Sequence, residues 1–258
     1  MTSNRVTPLP ISFPSQGRTL RGILYVPAKY TTAVVLLHGF PGDSSGGTDR
    51  RARMLARAGF LAMRFDFTGC GASDGKHEER LMSSDLKDTR AAIDYLSSHA
   101  EFDKLVLFGH STGAIDAALY AHTDKRVDAV IISAGVANLE RSVNYDFTPR
   151  QIRDFWTRSY TLTPWPMDWS GKRERIIKKF YDEFFTLDIS KALRRFHKPV
   201  LIIHGDKDEA VPVREAHELF AIANKPKKIV IVKGADHRFT KNAVGFTRAV
   251  VTFLKKVY

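Results

Sequence analysis

The chain has 258 residues, with 40 Lys plus Arg against 28 Asp plus Glu and a formal net charge of +12. Hydrophobic residues make up 43% and charged residues 26%, which excludes a disordered tail, a collagen-like chain and a disulfide-stapled miniprotein. The length suits one large α/β domain or two small ones, and a pI near 9.8 is compatible with nucleic acid, an anionic surface or a solvated basic exterior.

The single cysteine, Cys70, cannot close an intramolecular disulfide, so the fold does not depend on an oxidising compartment. Residues 1–22 lack the apolar core of a signal peptide, being broken by Pro8, Pro10 and Pro14 and by Arg5, Arg18 and Arg21. The longest apolar runs, such as Ala33 to Leu37 and Val200 to Ile203, fall far short of the roughly 20 residues that span a bilayer. A soluble cytoplasmic chain is expected.

In chain order, Ile11 to Phe13 and Thr19 to Val26 read as a pair of strands closed near Ser15-Gln16-Gly17. Ala33 to Leu37 is a buried strand, followed by a Gly-rich loop and a helix over Thr48 to Ala58. A second buried strand, Leu61 to Phe65, precedes an amphipathic helix over Ser84 to Ser97 with Leu86, Ala91, Ile93 and Leu96 on its apolar face. The strand Leu105 to Phe108, the helix Ile115 to Ala121 and the strand Ala129 to Ile132 come next. The chain ends in the strands Val200 to Ile203 and Ile229 to Val232 and the helices Val213 to Ala223 and Val244 to Val257. Continuous apolar runs suit parallel strands covered on both faces, and the repeated alternation predicts an α/β class, mostly parallel, doubly wound sheet. There is no internal repeat and no low-complexity tract.

One region breaks the rhythm. From Gly135 to Arg195 no buried strand is evident, and this stretch holds Trp156, Trp165 and Trp169 with Tyr145, Tyr160, Tyr181 and the breakers Pro149, Pro164 and Pro166. A structureless loop of ~60 residues is improbable in a compact domain, so a small helical cap is expected over 135–195, inserted into a core of 1–134 and 196–258. Its aromatic residues serve either to glue cap to body or to line a substrate site, and Trp156, Tyr160, Trp165 and Trp169 are the candidates for lining.

The sharpest local signal is Gly109-His110-Ser111-Thr112-Gly113, directly after one predicted strand and before a helix. The pattern G-x-S-x-G places a serine on a tight strand-to-helix turn, where only small neighbours let the chain pass. The hydroxyl then sits at the carboxyl end of the strand, at the positive end of the next helix. A serine needs a base and an orienting acid further on. Two loops just past strand ends offer them: His204-Gly205-Asp206-Lys207-Asp208 through Val211-Pro212, and Gly234-Ala235-Asp236-His237.

These blocks, together with His38-Gly39-Phe40 and Asp66 through Gly75, resemble the α/β-hydrolase superfamily, and within it single-domain serine esterases similar to bacterial cinnamoyl and feruloyl esterases. The resemblance runs from about Thr31 through Val257 and is weakest in the cap. It implies the α/β-hydrolase fold and a carboxylic ester hydrolase with Ser111 as nucleophile, His237 as base and Asp208 as orienting acid. Asp206 competes on the same loop, and the family pattern H-G-x-x-D selects Asp208; Asp236 reads as an exposed or loop-capping group. The oxyanion hole is expected from the backbone N–H groups of Phe40 and Thr112.

Among the remaining candidates, His38, His110 and His204 read as structural, and Cys70 as a small packing residue. Gly69-Cys70-Gly71 lacks the G-x-G-x-x-G spacing of a phosphate loop and reads as a turn beside the site. Two departures matter: Thr112 stands where similar esterases carry Gln, and the cap does not reproduce the polar residues that hold a phenolic ring in them. Ester hydrolysis is therefore implied and hydroxycinnamate specificity is not. Thioesterase, lipase-like and peptidase activities share the fold, while dehalogenase and epoxide hydrolase chemistry would need Asp in place of Ser111. The alternative is a non-catalytic binding module that uses its basic flank. Neither a cofactor nor a metal is expected, the partner is a small-molecule ester, no nucleic-acid-binding signature accompanies the charge, and homo-oligomers stay open. Residues 224–258 concentrate the excess, with nine Lys or Arg against one acid, Asp236.

Overall fold

A computed structural model describes residues 5–163 and 173–257. Strands β1 (Val6–Ser15) and β2 (Arg18–Pro27) form an antiparallel hairpin around Gln16 and Gly17, both at positive φ as a tight hairpin turn requires. Both strands outrun their apolar stretches because most of β1 faces solvent, only Ile11, Phe13 and Ser15 being buried. Pro8, Pro10 and Pro14 are tolerated there because β1 is an edge strand, where a missing N–H costs no ladder bond.

The body then alternates: β3 (Thr32–Leu37), α1 (Gly47–Arg57), β4 (Leu61–Phe65), α2 (Met82–His99), β5 (Lys104–His110), α3 (Thr112–Tyr120) and β6 (Val127–Ser133). The eight-stranded sheet is completed by the last two strands of the chain, Val200–Gly205 and Lys227–Val232, and is antiparallel only where β2 meets β1 and β4. From β3 the chain steps to β4 on one side and returns to β5 on the other. That reversal creates a crevice at the carboxyl ends of β3 and β5, where ligands bind in open α/β sheets.

The continuous apolar runs are explained by burial on both faces. Ala33, Val35 and Leu37 of β3 pack with Ala92, Ile93 and Leu96 of α2 and with the apolar residues of α3. Val34 and Leu36 pack on the other face with Leu55 of α1 and with Phe246 and Val250 of the C-terminal helix, Ala243–Val257.

Between β6 and the strand Val200–Gly205, which pair directly, the insertion contains α4 (Leu139–Asp146), α5 (Pro149–Arg158), β7 (Tyr160–Leu162), β8 (Arg175–Ile177), α6 (Lys178–Glu183) and α7 (Ile189–Arg194). The expectation of a purely helical insertion is corrected by β7 and β8, which pair antiparallel, Tyr160 opposite Ile177 and Leu162 opposite Arg175. Three-residue strands are too short to leave an alternating pattern in the sequence. Phenylalanines hold the insertion together: Phe155 stacks on Tyr181 at 4.7 Å, Phe147 meets Phe155 edge-on at 5.2 Å, and Phe180 stacks on Phe40 of the body at 4.6 Å. Trp165 and Trp169 lie outside the described residues. No helix among the described residues is long and apolar enough to cross a membrane.

Candidate active site

The last two strands of the sheet, Val200–Gly205 and Lys227–Val232, are β9 and β10. The turn from β5 into α3 is built by steric necessity. A Cβ on Gly109 would lie 1.9 Å from the Gly113 carbonyl oxygen, and one on Gly113 would lie 2.3 Å from that of Leu37, so neither position accepts a side chain. Between them Ser111 has φ 56° and ψ −123°, a conformation that costs about 1–3 kcal/mol for a residue with a Cβ. It is held there by its N–H donating to the Ser133 carbonyl of β6 at 2.9 Å and by the Ala114 N–H donating to its carbonyl at 2.8 Å.

The loops after β9 and β10 converge on this serine. His237 Nε2 lies 3.1 Å from Ser111 Oγ, and His237 Nδ1 lies 2.9 and 3.0 Å from the two carboxylate oxygens of Asp208. The acid can only accept, so Nδ1 carries the proton and the Nε2 lone pair faces the hydroxyl. Asp208 also accepts from the N–H groups of Ala210 at 2.9 Å and Val211 at 2.8 Å. His204 Nε2 stands 3.2 Å from its other oxygen and 2.9 Å from the Val211 carbonyl, so this histidine donates from Nε2 and braces the acid. Burial alone would push the Asp208 carboxyl up, but the hydrogen bonds from His204 and His237 and the His237 charge outweigh it and hold the group well below the usual carboxylate range.

Asp206 and Asp236 of these loops have separate partners. Asp206 accepts from the Gly234 N–H at 2.5 Å, and Asp236 accepts from the Lys241 N–H at 3.0 Å and from the Thr240 hydroxyl. Neither hydrogen-bonds His237 among the described residues. Next to Ser111, a Cβ on Gly39 would lie 3.0 Å from the serine Cβ, which brings the loop after β3, and with it Phe40, against the β5–α3 turn. Among the described residues no acceptor takes the N–H of Phe40 or of Thr112.

The structural readings of the histidines have specific partners. His38 is fully buried, accepts from the Phe67 N–H at Nε2 (3.1 Å), and donates from Nδ1 to the Gly39 carbonyl (2.9 Å). Burial, with the Arg80 charge beside it, pushes its pKa down to about 3, so it stays neutral. His110 lies 3.3 Å from the Ser133 hydroxyl and 5.1 Å ring to ring from His237. Cys70 is buried, and burial pushes its thiol up to about 12, which leaves it unreactive.

A cavity of about 1400 Å³ flanks the Ser111, His237 and Asp208 contacts, bordered by Pro41 beside Phe40 and by Arg238 beside His237. Tyr160 and Leu162 of β7 line it, with Arg175 over the Tyr160 ring at 4.5 Å. Trp156 does not: it is 68% exposed on the outer face of α5, with the Lys178 ammonium 4.3 Å from its ring. An α5 turn that buries Phe155 necessarily turns its neighbour outward.

Three polar residues near the site escape sequence reasoning. Asp146, at the end of α4, reaches solvent but is hemmed in by protein. Its carboxyl lies within electrostatic reach of His237. Arg80 and Asp116 are buried beneath the loop after β3 and the start of α3. The only trace of this network in sequence is that Asp85, the Arg80 partner, falls on the same stripe of α2 as Met82, Thr89, Ala92 and Leu96.

The sequence profile of the family described as serine aminopeptidase, S33, matches residues 28–165. An uncharacterized protein of Mycobacterium tuberculosis is 28% identical over 209 residues, covering 80% of this chain and 62% of that protein. The chain therefore spans about three fifths of that relative's length. A polyketide transferase of Stachybotrys chlorohalonatus is 31% identical, with 86% of each chain covered. Among solved structures, Est1E from Butyrivibrio proteoclasticus with ferulic acid bound superposes with a TM-score of 0.81 at 24% identity, covering 96% of this chain and 98% of that one. At that identity the likeness carries the fold, which is the α/β-hydrolase fold.

Proposed function

The chain belongs to the hydrolase family described as serine aminopeptidase, S33, and on that premise we propose that it cleaves a carboxylic ester through an acyl-enzyme on Ser111. The observation that carries this reading is the relay of contacts: Ser111 Oγ 3.1 Å from His237 Nε2, and His237 Nδ1 2.9 Å from Asp208. His237 takes the hydroxyl proton as Oγ attacks the ester carbonyl, and Asp208 keeps the imidazole in the required tautomer and offsets the imidazolium charge. The N–H groups of Phe40 and Thr112 receive the oxyanion of the tetrahedral intermediate. The imidazolium then protonates the leaving alcohol, and a water activated by the same histidine releases the acid and restores the serine.

The substrate in this reading carries a small to medium or an aromatic acyl group, such as a cinnamoyl-type ester. Tyr160 and Leu162 in the flanking cavity support an apolar or aromatic group there. The likeness to Est1E, whose structure holds ferulic acid, points the same way. The organisation we assign is a hydrolase core of 1–134 and 196–258 with a cap of 135–195. The direct pairing of β6 with β9 across the insertion supports it.

Purified protein should hydrolyse short p-nitrophenyl esters and be labelled by a fluorophosphonate at Ser111, and S111A should lose both signals while keeping its melting temperature. A wild-type chain inert to both reagents overturns the reading. Aminoacyl p-nitroanilides belong in the same panel, because a peptidase would turn over these amides as well as the matched esters, whereas an esterase would cleave the esters and leave the amides intact.

A further inference from the structure

The peptide unit between Gly39 and Phe40 carries two groups at once. Its N–H is the Phe40 amide that the proposed reaction uses as an oxyanion donor, and its C=O points the opposite way because the unit is planar and trans. Whatever fixes the Gly39 carbonyl therefore fixes the direction of the Phe40 amide. Three donors meet on that oxygen: His38 Nδ1 at 2.9 Å, the Gly42 N–H at 3.3 Å and Arg80 Nη1 at 3.3 Å.

Of the three, only Arg80 brings a charge. The residue is 1% exposed, although arginine is rarely buried unless it is paired. Its Nε donates to Asp85 at 2.9 Å, and both side chains are wholly inaccessible. The guanidinium sits 5.4 Å from the Phe40 ring centroid and 4.9 Å from that of Phe67, so it also fixes the side chain of the residue whose amide is at issue. Asp116, one turn into α3 beyond Thr112, has no hydrogen-bond partner for either carboxylate oxygen among the described residues. Burial drives its carboxyl strongly upward, so it stays protonated and leaves Arg80 and Asp85 as a neutral pair.

A buried ion pair is weak as a source of stability, because desolvation cancels most of the attraction. Pressed against a peptide carbonyl, however, the same cation draws electron density from the unit and strengthens its N–H as a donor. We propose that Arg80 is a positioning residue for the oxyanion hole, aiming and polarising the Phe40 amide toward the oxygen that gains charge when Ser111 attacks. This rests on the reading of Ser111 as nucleophile given above.

The test compares wild type, R80M, R80K and S111A on p-nitrophenyl acetate, with phenylboronic acid as a tetrahedral-adduct inhibitor and thermal melts as the folding control. R80M should lose about 10- to 100-fold in kcat with KM within about twofold, and its boronate affinity should fall by the same factor as kcat. R80K keeps the charge but cannot reach both Asp85 and Gly39, so its losses should be intermediate, about three- to tenfold. Wild-type kcat and boronate affinity in either folded variant overturn the proposal, as does a rise in KM alone. Failure of both variants to fold also overturns it, because Arg80 would then be structural. An S111A chain that still hydrolyses the ester instead refutes the nucleophile assignment. A dead S111A beside unimpaired Arg80 variants refutes only the role of Arg80.

Discussion

Asp206 and Asp208 stand on one loop with different partners. Asp208 accepts from His237, from two backbone amides and from His204, whereas Asp206 ties the loop to the Gly234 amide. D208N would leave the imidazole free to take the wrong tautomer, and kcat should fall by about 10³- to 10⁴-fold. D206N removes a loop tie and should stay within about threefold of wild type. Steady-state kinetics of the two variants on one ester decides the matter, and the reverse ranking would move the acid to Asp206. The serine, the histidine and this loop are legible in the sequence because their placement demands fixed small neighbours: Gly109 and Gly113 leave no room for a methyl group, and Gly205 meets the Ala235 carbonyl in the same way. Arg80 and Asp116 are not legible. A charge among apolar residues reads as a solvated face until tertiary packing buries it. The exposed Trp156 shows the converse, since composition invites a binding role that the helix phase of α5 removes.

Helices α2 and α3 enclose a group of acids that the proposed catalytic relay does not use. Burial drives the Asp116 carboxyl strongly upward, while the charge and hydrogen bond of Arg80 oppose the same effect on Asp85. In the unfolded chain Asp116 titrates near ~3.9, so above pH ~4 the folded state holds an extra proton. The Asp116 contribution to stability is therefore full below about pH 4 and is lost progressively as the pH rises above it. Asp208, held low, has the opposite sign: it stabilises above about pH 4, and that contribution is lost as the pH falls. D116N keeps the shape and stays neutral at every pH. Its stability relative to wild type should therefore grow as the pH is raised from 4 to 9, by about 1.4 kcal/mol per pH unit while the folded carboxyl stays protonated. Urea unfolding at the two pH values measures this, and an unchanged gap would mean that Asp116 is not the titrating group. At this scale the sheet and its covering helices follow from apolar periodicity to within a few residues. The β7–β8 hairpin does not, because three residues per strand carry no readable period.

Across the whole molecule the net charge of +12 is unevenly placed, and the topology decides what it can do. Lys225, Lys227 and Lys228 stand at the start of β10, and Lys255 and Lys256 at the end of the helix that returns antiparallel to it. These cations lie at the amino end of the sheet, away from the triad, and on an exposed sheet edge they also discourage strand pairing between copies. Lys233, Arg238 and Lys241 instead follow β10 at its carboxyl end, around His237. The cavity beside them carries five Lys or Arg against four Asp or Glu, which leaves a local excess of about one positive charge. Charges farther off than about 10 Å are screened at 0.1 M salt, so the local excess sets the field a substrate meets. Raising salt from 10 to 300 mM should therefore lower kcat/KM for a monoanionic ester only about two- to threefold and leave a neutral ester of the same shape unchanged. A tenfold fall for the anion would mean that the remote cations reach the site. Equal slopes for the two esters would mean that charge takes no part in substrate capture.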